Sequence, residues 1–360
     1  MTERLYVSTS PVFKVDGQAK GELGRDLLRL QVDETTEGLK TLTVHLAAIG
    51  PASSGNQESL HYMDGSVVDF GKRIEVSIGP PDGERVIFKG TISALEIAFE
   101  EGQLPLATVY AEDDLMKLRM TRRMKTYEQV SDSDIASAVA SDHGLSADVS
   151  ADGPTYDVVQ QWNQSDLAFL RDRARLISAE IWVDDGTLKF KTRPNRTGTS
   201  LTLVQGNQLI AVNLRADLAH QRSSVKVSGY DAGQRSVIDE NADSSTIQAE
   251  VSGGKTGPDV LSSAFGQLDS YRVREEPLVA GEATAWAKAE MLRRCRRFVT
   301  VVGTTSGSPD MVVGSQLTLE RVGAPFEGSG YYVTRVRHLY DLTHGHRTKF
   351  EAERPTVNPS

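Results

Sequence analysis

Two stretches far apart in the chain carry the same ordered pattern, and that repetition limits the possible folds more than any other feature. Residues 71–113 read GKRIEVSIGPPDGERVIFKGTISALEIAFEEGQLPLATVYAED, and the stretch opening at Gly314 reads GSQLTLERVGAPFEGSGYYVTRVRHLYDLTHGHRTKFEAER. Each has a glycine, an alternating strand, a turn containing proline and glycine, and an aromatic strand start (Phe88; Tyr331 and Tyr332). Ile92-Ser93-Ala94-Leu95 then matches Val336-Arg337-His338-Leu339, and the tip Glu100-Glu101-Gly102 matches His344-Gly345-His346. Both close on similar strands, Tyr110-Ala111-Glu112 and Phe350-Glu351-Ala352-Glu353. Gly71 to Ala111 is 40 positions and Gly314 to Ala352 is 38. Alternating strands all resemble one another, so one match means little. Five features in order at near-constant spacing predict a duplicated unit: two related β-barrels with helices inserted between and within them.

Most of the remaining chain also alternates, as in Thr41–Leu46, Arg73–Ile78 and Ser224–Ser228. The predicted class is α+β, mainly β. Helical signals fall in four places. Asp113–Arg123 opens with acids and closes with bases, Ser131–His143 stops at Gly144, Ser165–Ser178 has Ser165 or Asp166 as cap, and Gly281–Phe298 is the longest. Asp239–Pro258 is polar and rich in glycine and serine, and is expected to be an exposed loop or arm. The expected division is a first barrel over 1–112, a helical insertion with a hairpin over 113–190, and the start of the second barrel over 191–238. A polar loop plus long helix over 239–299, completion of the barrel over 300–354, and a tail over 355–360 follow.

Composition excludes several classes. A chain of 360 residues is long for one core and suggests two or three domains. The single cysteine, Cys295, rules out an internal disulfide framework and a four-cysteine zinc site. No apolar run reaches the roughly 18 residues of a membrane helix, and the N-terminus lacks a signal-peptide pattern. The expectation is a soluble protein made in the cytoplasm. A net charge of −9 argues against specific nucleic-acid binding.

Chemistry-bearing motifs are few. His338, His344 and His346 form the best metal candidate, since imidazoles are common zinc ligands. The repeat weakens that reading, because the first copy has glutamates at the matched tip; an exposed hairpin tip is expected, with no metal. Gly253-Gly254-Lys255-Thr256 lacks the earlier glycine of a phosphate loop (position 249 is Ala249) and is followed by Gly257-Pro258, so a flexible loop is expected. Arg293, Arg294, Arg296 and Arg297 surround Cys295, either as helix-end bases or, with Lys288, facing phosphate or a carboxylate-rich partner surface. Cys295 reads as a structural thiol. Asp113-Asp114 and Asp184-Asp185 read as capping and turn residues. No catalytic residues, cofactor or enzyme activity are predicted.

The stretch Gln161–Phe190 is the most specific. Its Trp162, Asn163, Ser165, Asp166, Phe169, Leu170, Ile181, Trp182, Asp185, Gly186 and Leu188-Lys189-Phe190 resemble the signature of phage late control D proteins and of the N-terminal half of VgrG spike proteins. Val86–Ile92, Asp113–Leu115 with Met124–Tyr127, and Val302–Gly314 fall where that family would place them. The resemblance implies a baseplate hub of contractile tails or injection machines. It implies a homotrimer whose two barrels per chain form a pseudo-six-fold ring, joining a hexameric inner tube to a trimeric spike. Baseplate wedge and tape-measure proteins are further partners the resemblance implies, and the implied location is the bacterial cytoplasm during assembly, then the baseplate. VgrG proteins continue into a spike, whereas this sequence stops at Ser360, so a separate spike chain is expected. Contacts are expected near residues 240–260 and at the tips Glu100–Gln103 and Thr343–Arg347. The alternative is a carbohydrate-binding or cell-wall-degrading β-domain protein, which would need exposed aromatic platforms and paired carboxylates.

Overall fold

The computed structural model describes residues 10–51, 58–79, 83–251, 253–273 and 279–358. Strand dominates, and the two predicted units are both present. The first unit contributes β1 (Val12–Val15), β2 (Leu27–Thr35), β3 (Thr41–Ala47), β4 (Arg73–Ile78), β5 (Arg85–Ala98) and β6 (Leu106–Glu112). The second contributes β7 (Ser200–Val204), β8 (Leu209–Ala216), β9 (Val299–Thr305), β10 (Gln316–Glu320), β11 (Gly328–Asp341) and β12 (Gly345–Arg354).

The order of the first unit is β2-β3-β6-β5-β4-β1, and that of the second is β8-β9-β12-β11-β10-β7. The two orders are the same path, each strand matching the one six numbers later. One difference is that β1 runs antiparallel to β4 whereas β7 runs parallel to β10. The units are fused: β11 also pairs with β2, from Arg335 opposite Thr35 to Asp341 opposite Arg29. One continuous sheet therefore crosses both units. Each unit wraps its own apolar core. Leu30, Val44, Phe88 and Val109 lie in the first, and Val301, Leu317, Tyr331 and Phe350 in the second.

Backbone hydrogen bonds fix the repeat residue by residue. Gly71 N–H donates to the Ile92 carbonyl (3.0 Å), and Ile92 N–H donates to the Lys72 carbonyl (2.9 Å). Gly314 N–H and Val333 N–H make the same pair of bonds, to Val333 and Ser315 (2.9 Å each). Both glycines sit at positive φ, +81° and +93°, where a side chain would be strained. A bulge follows in each long strand, between Ile92 and Ala94 and between Val333 and Arg335. In each case the bulged residue is a hydroxyl donor to the facing strand, Ser93 to the Tyr110 carbonyl (3.5 Å) and Thr334 to the Glu351 carbonyl (3.3 Å). Matching bulges recur in β2 after Leu27 and in β8 after Leu209.

This register corrects the sequence alignment by three residues. Ile92-Ser93-Ala94-Leu95 corresponds to Val333-Thr334-Arg335-Val336, and Glu100-Glu101 corresponds to Asp341-Leu342. Ile92 to Ala111 and Val333 to Ala352 both span 19 positions. The mismatch of two falls entirely in the preceding hairpin. His338 thus stands where Ile97 stands, and His346 where Pro105 stands.

Between and beside the units lies a helical layer with a third core. The first insertion holds α1 (Asp132–Asp142) and α2 (Asp166–Ile177), capped by Ser131 and Ser165 as their sequences imply. The second holds α3 (Gly257–Phe265) and α4 (Ala280–Arg296). Ile135, Leu170, Trp286 and Met291 share one apolar cluster, so both insertions pack together. Several expectations fail here. Only Met116–Arg119 of the predicted helix Asp113–Arg123 is helical, because Arg122–Val130 pairs as a strand with Tyr156–Ser165. Ser224–Asp231 does not join the second barrel. It pairs with Ser236–Asp243 and Asp269–Val273 beneath α4. The expected loop 239–258 is ordered: Ser236–Asp243 is strand, Ser244–Glu250 is 3-10 helix with Ile247 fully buried, and Thr256 caps α3. Residue 252 of that span lies outside the described residues.

Candidate functional site: a polar joint, two free edges and an exposed tip

The signature residues around Asp166 build scaffold. Asp166 is buried and accepts hydrogen bonds from Arg123 Nε (2.9 Å) and Gln161 Nε2 (2.8 Å), with His143 Nε2 at 2.7 Å. It clamps the ribbon Arg122–Val130/Tyr156–Ser165 to α1 and α2. Phe169 stacks on Tyr127, and Asp185-Gly186 makes the tight turn with φ of +42° and +74°. Trp182 lies against Arg196, and Arg196 sits at the joint of all three bodies. Its guanidinium meets Glu34 of β2 (2.8 Å), Glu180 of the insertion (3.2 Å) and the Val313 carbonyl of the second unit (3.2 Å). Arg193 adds Glu353 of β12 (2.5 Å) and covers the Tyr332 ring, whose hydroxyl donates to Glu180 (2.7 Å). Burial, with the Glu180 charge beside it, raises the Tyr332 hydroxyl pKa far above its ordinary value. At this joint Arg193 and Arg196 each meet carboxylates, the condition for tolerating charge away from water.

The three histidines do not converge. His344 alone is at an exposed tip, its Nδ1 3.1 Å from Asp341. His338 and His346 are buried, contrary to the expected exposed tip, because β12 begins at Gly345 and His346 faces the core. Their rings meet through His346 Nε2 and His338 Nδ1 at 3.3 Å, with Thr348 Oγ1 3.2 Å from the same His338 nitrogen. Burial depresses both pKa values. His346 is held at about 4, and His338 is pushed well below its ordinary value, with His346 and Lys40 as lesser causes. A contact between two ring nitrogens needs one donor and one acceptor, so both rings cannot be protonated together, and burial disfavours a charge on either. Among the described residues no three potential ligand side chains converge on one point.

Cys295 is buried in α4, and burial pushes its thiol up to about 12, far from a reactive thiolate. The arginine cluster around it divides. Arg296 forks onto Glu250 and reaches Ser178, while Arg293 and Arg294 pair with Glu290 and Arg297 is exposed. Arg293 and Arg297 line a cleft of about 1050 Å3 whose far wall is α2, with Arg171 and Arg175. Lys255-Thr256 pairs with Thr356-Val357, and Gly257-Pro258 starts α3 with proline in its first turn. A helix does follow the glycines, but Thr256 Oγ1 is engaged with Asp259 in a capping box. The tryptophans form no platform: Trp286 is in the core, Trp182 covers Arg196, and Trp162 is exposed opposite Met124.

What the surface does offer is strand edges. Among the described residues β8 ends the sheet, with one side paired to β9 and, beyond a single bridge from Leu209 to Gln205, no strand on the other. The C-terminal half of β5 pairs with β6 on one side only, since β4 reaches no further than Thr91. Just beyond it stands the tip Phe99-Glu100-Glu101-Gly102-Gln103-Leu104, all exposed, with Phe99 at 68%. Sequence reasoning singled out the glutamates of this tip but not the edge beside it.

No curated protein matches this sequence. Solved structures do match its fold. The 43 kDa tail protein of prophage MuSo2 from Shewanella oneidensis is 15% identical, with a TM-score of 0.70 over 97% of this chain and 99% of that one. A tail protein from Neisseria meningitidis MC58 is 13% identical, with a TM-score of 0.66 over 98% and 100%. An E. coli component of the type VI secretion system, described as structurally similar to the T4 bacteriophage tail proteins gp27 and gp5, is 11% identical. Its TM-score is 0.57 over 93% of this chain and 76% of that one. At these identities the likeness establishes a shared fold. By sequence, the family model described as the Alg8 N-terminal domain matches residues 29–341, most of the chain, and the chain belongs to that family.

Proposed function

We propose that this chain is a structural protein of a phage tail or a related injection particle, acting as a baseplate hub of the late control D and VgrG type. The observation that carries the reading is the duplication itself. Two units with one strand order and one register, fused by β11 and β2, put two near-equivalent bodies in each chain. Three copies then form a ring that is three-fold by sequence and nearly six-fold by shape. Such a ring fits a hexameric tube on one face and a trimeric spike on the other. The folds of the tail proteins described above support the same reading. Catalysis plays no part in it: the charges of Glu34, Glu180, Arg193, Arg196 and Glu353 hold the bodies together.

The division into barrels and insertions remains part of this proposal, with the two insertions forming one helical layer outside the ring. Wedge and tape-measure proteins are additional partners, and the particle is the final location. Sedimentation velocity at micromolar concentration tests the core claim. The expected mass is three copies of the 39.3 kDa chain, with rings in negative stain. A monomer that stays monomeric at all concentrations, alone and with tube or spike protein, would overturn it.

A further inference from the structure

The fused joint between the units has a counterpart with no partner. In β11·β2, Arg337 lies opposite Asp33, His338 opposite Val32 and Tyr340 opposite Leu30. Carrying each strand to its repeat mate turns β11 into β5 and β2 into β8. The matching bulges fix the register. Thr334 and Ser93 align β11 with β5, and the bulges after Leu27 and Leu209 align β2 with β8. The derived partners are Glu96 with Arg215, Ile97 with Leu214, and Phe99 with Val212. Both strands, with Phe99 directly past the end of β5, present these residues on edges that no strand pairs among the described residues.

The chemistry fits at each step. Arg337 and Asp33 form an ion pair (2.7 Å), and Glu96 with Arg215 is the same pair with its signs exchanged. Ile97 and Leu214 are apolar. Tyr340 of the second unit is buried in the core of the first, only 9% exposed. Its mate Phe99 is 68% exposed, an apolar ring with no core to enter. Burial along β2 and β8 differs in the same sense. Leu30, Val32 and Glu34 are buried, whereas Val212, Leu214 and Ala216 are half-buried or exposed. Within one chain these two edges are seven strand spacings apart along the sheet, about 34 Å. No pairing joins them within the chain among the described residues.

Resting on the ring reading above, we infer that β5 of one copy pairs antiparallel with β8 of the next, in the register Glu96–Arg215, Ile97–Leu214, Phe99–Val212. Phe99 enters the second unit's core of the neighbour as Tyr340 enters the first unit's core within the chain. The contact is head-to-tail, so it repeats around a ring, and every junction becomes a version of one joint. It also removes two exposed strand edges that would otherwise template aggregation.

Disulfide trapping tests the register, since Cys295 is buried and the chosen positions are exposed. The Glu96→Cys/Arg215→Cys double variant, oxidised at micromolar concentration, is expected to give a covalent ladder ending in a closed species. Mixing the two single variants is expected to give covalent dimers and nothing larger. Glu96→Cys/Ala211→Cys, four residues out of register, is the control and is expected to cross-link at least ten-fold less. Phe99→Ser, and Arg215→Glu or Glu96→Arg alone, are expected to weaken association, and the double charge exchange to restore it. If the wild type forms rings but the first pair fails to cross-link, or the control links equally well, this pairing is wrong and the ring reading stands. If neither rings nor cross-links form, both are wrong.

Discussion

The positions His338, His346 and Thr348 in the second unit correspond to Ile97, Pro105 and Ala107 in the first. Backbone, bulge and hydrogen-bond pattern are the same around both sets, yet one pocket holds a neutral histidine pair with a threonine and the other holds aliphatic groups. What survives the duplication is what the backbone needs: glycine at positive φ, a hydroxyl at the bulge, and alanine at 111 and 352. What diverges is side-chain identity where a pocket can be filled in more than one way. The joint diverges further, since Glu34 of β2 has Ala216 as its mate. The buried charge network therefore belongs to the fused junction alone.

That asymmetry predicts where substitutions hurt most. Arg196→Ala leaves Glu34 and Glu180 buried at the joint with their guanidinium gone, and is expected to cost about 3–5 kcal/mol in urea unfolding. Arg215→Ala, on the mate strand β8, removes the exposed pair with Asp217 just past its end and is expected to cost under about 1 kcal/mol. Equal losses at the two sites would show that the joint is not where the charges matter.

The histidine pocket gives the next effect. Folding weakens proton binding by both rings, so their contribution is whole above the unfolded value of 6.5 and is lost as pH falls towards about 4. For His346 alone the loss approaches about 3 kcal/mol. Replacing the pocket with apolar groups, as in His338→Ile with His346→Leu, is expected to remove that part of the acid destabilisation. Stability curves between pH 7 and pH 4 check it, and parallel curves for wild type and variant would refute it.

How much of this was legible follows from the same comparison. The duplication, the α1 and α2 caps and the Asp185-Gly186 turn could be read because they depend on residues near one another. The register could not. A bulge inserts one residue and resets the alternation, so Val333 and Val336 are both buried, and either could be matched to Ile92. The error of three residues placed the core histidine His346 at the tip. The failed helix at Asp113–Arg123 has a related cause: its charge pattern suits a helix, but pairing of Arg122–Val130 with a distant strand overrides it. Thr256-x-x-Asp259 was a readable capping box, obscured by the glycines before it. The edge of β5 was invisible, because whether a strand has a partner is a property of the whole sheet.

The smallest predicted effect is the most direct test of equivalence. Ser93→Ala and Thr334→Val each remove one hydroxyl that donates to a carbonyl across a bulge, at matched places in the two units. A hydrogen bond of this kind contributes about 0.5–1.5 kcal/mol. The longer 3.5 Å contact at Ser93 places it at the lower end, and the 3.3 Å contact at Thr334 slightly above. The two sites share no partner, so the double variant should lose the sum of the single losses within about 0.5 kcal/mol. A large loss at one site with none at the other would mean that the bulges arose from different local needs. Near-equal, additive losses would mean that one backbone device is being used twice.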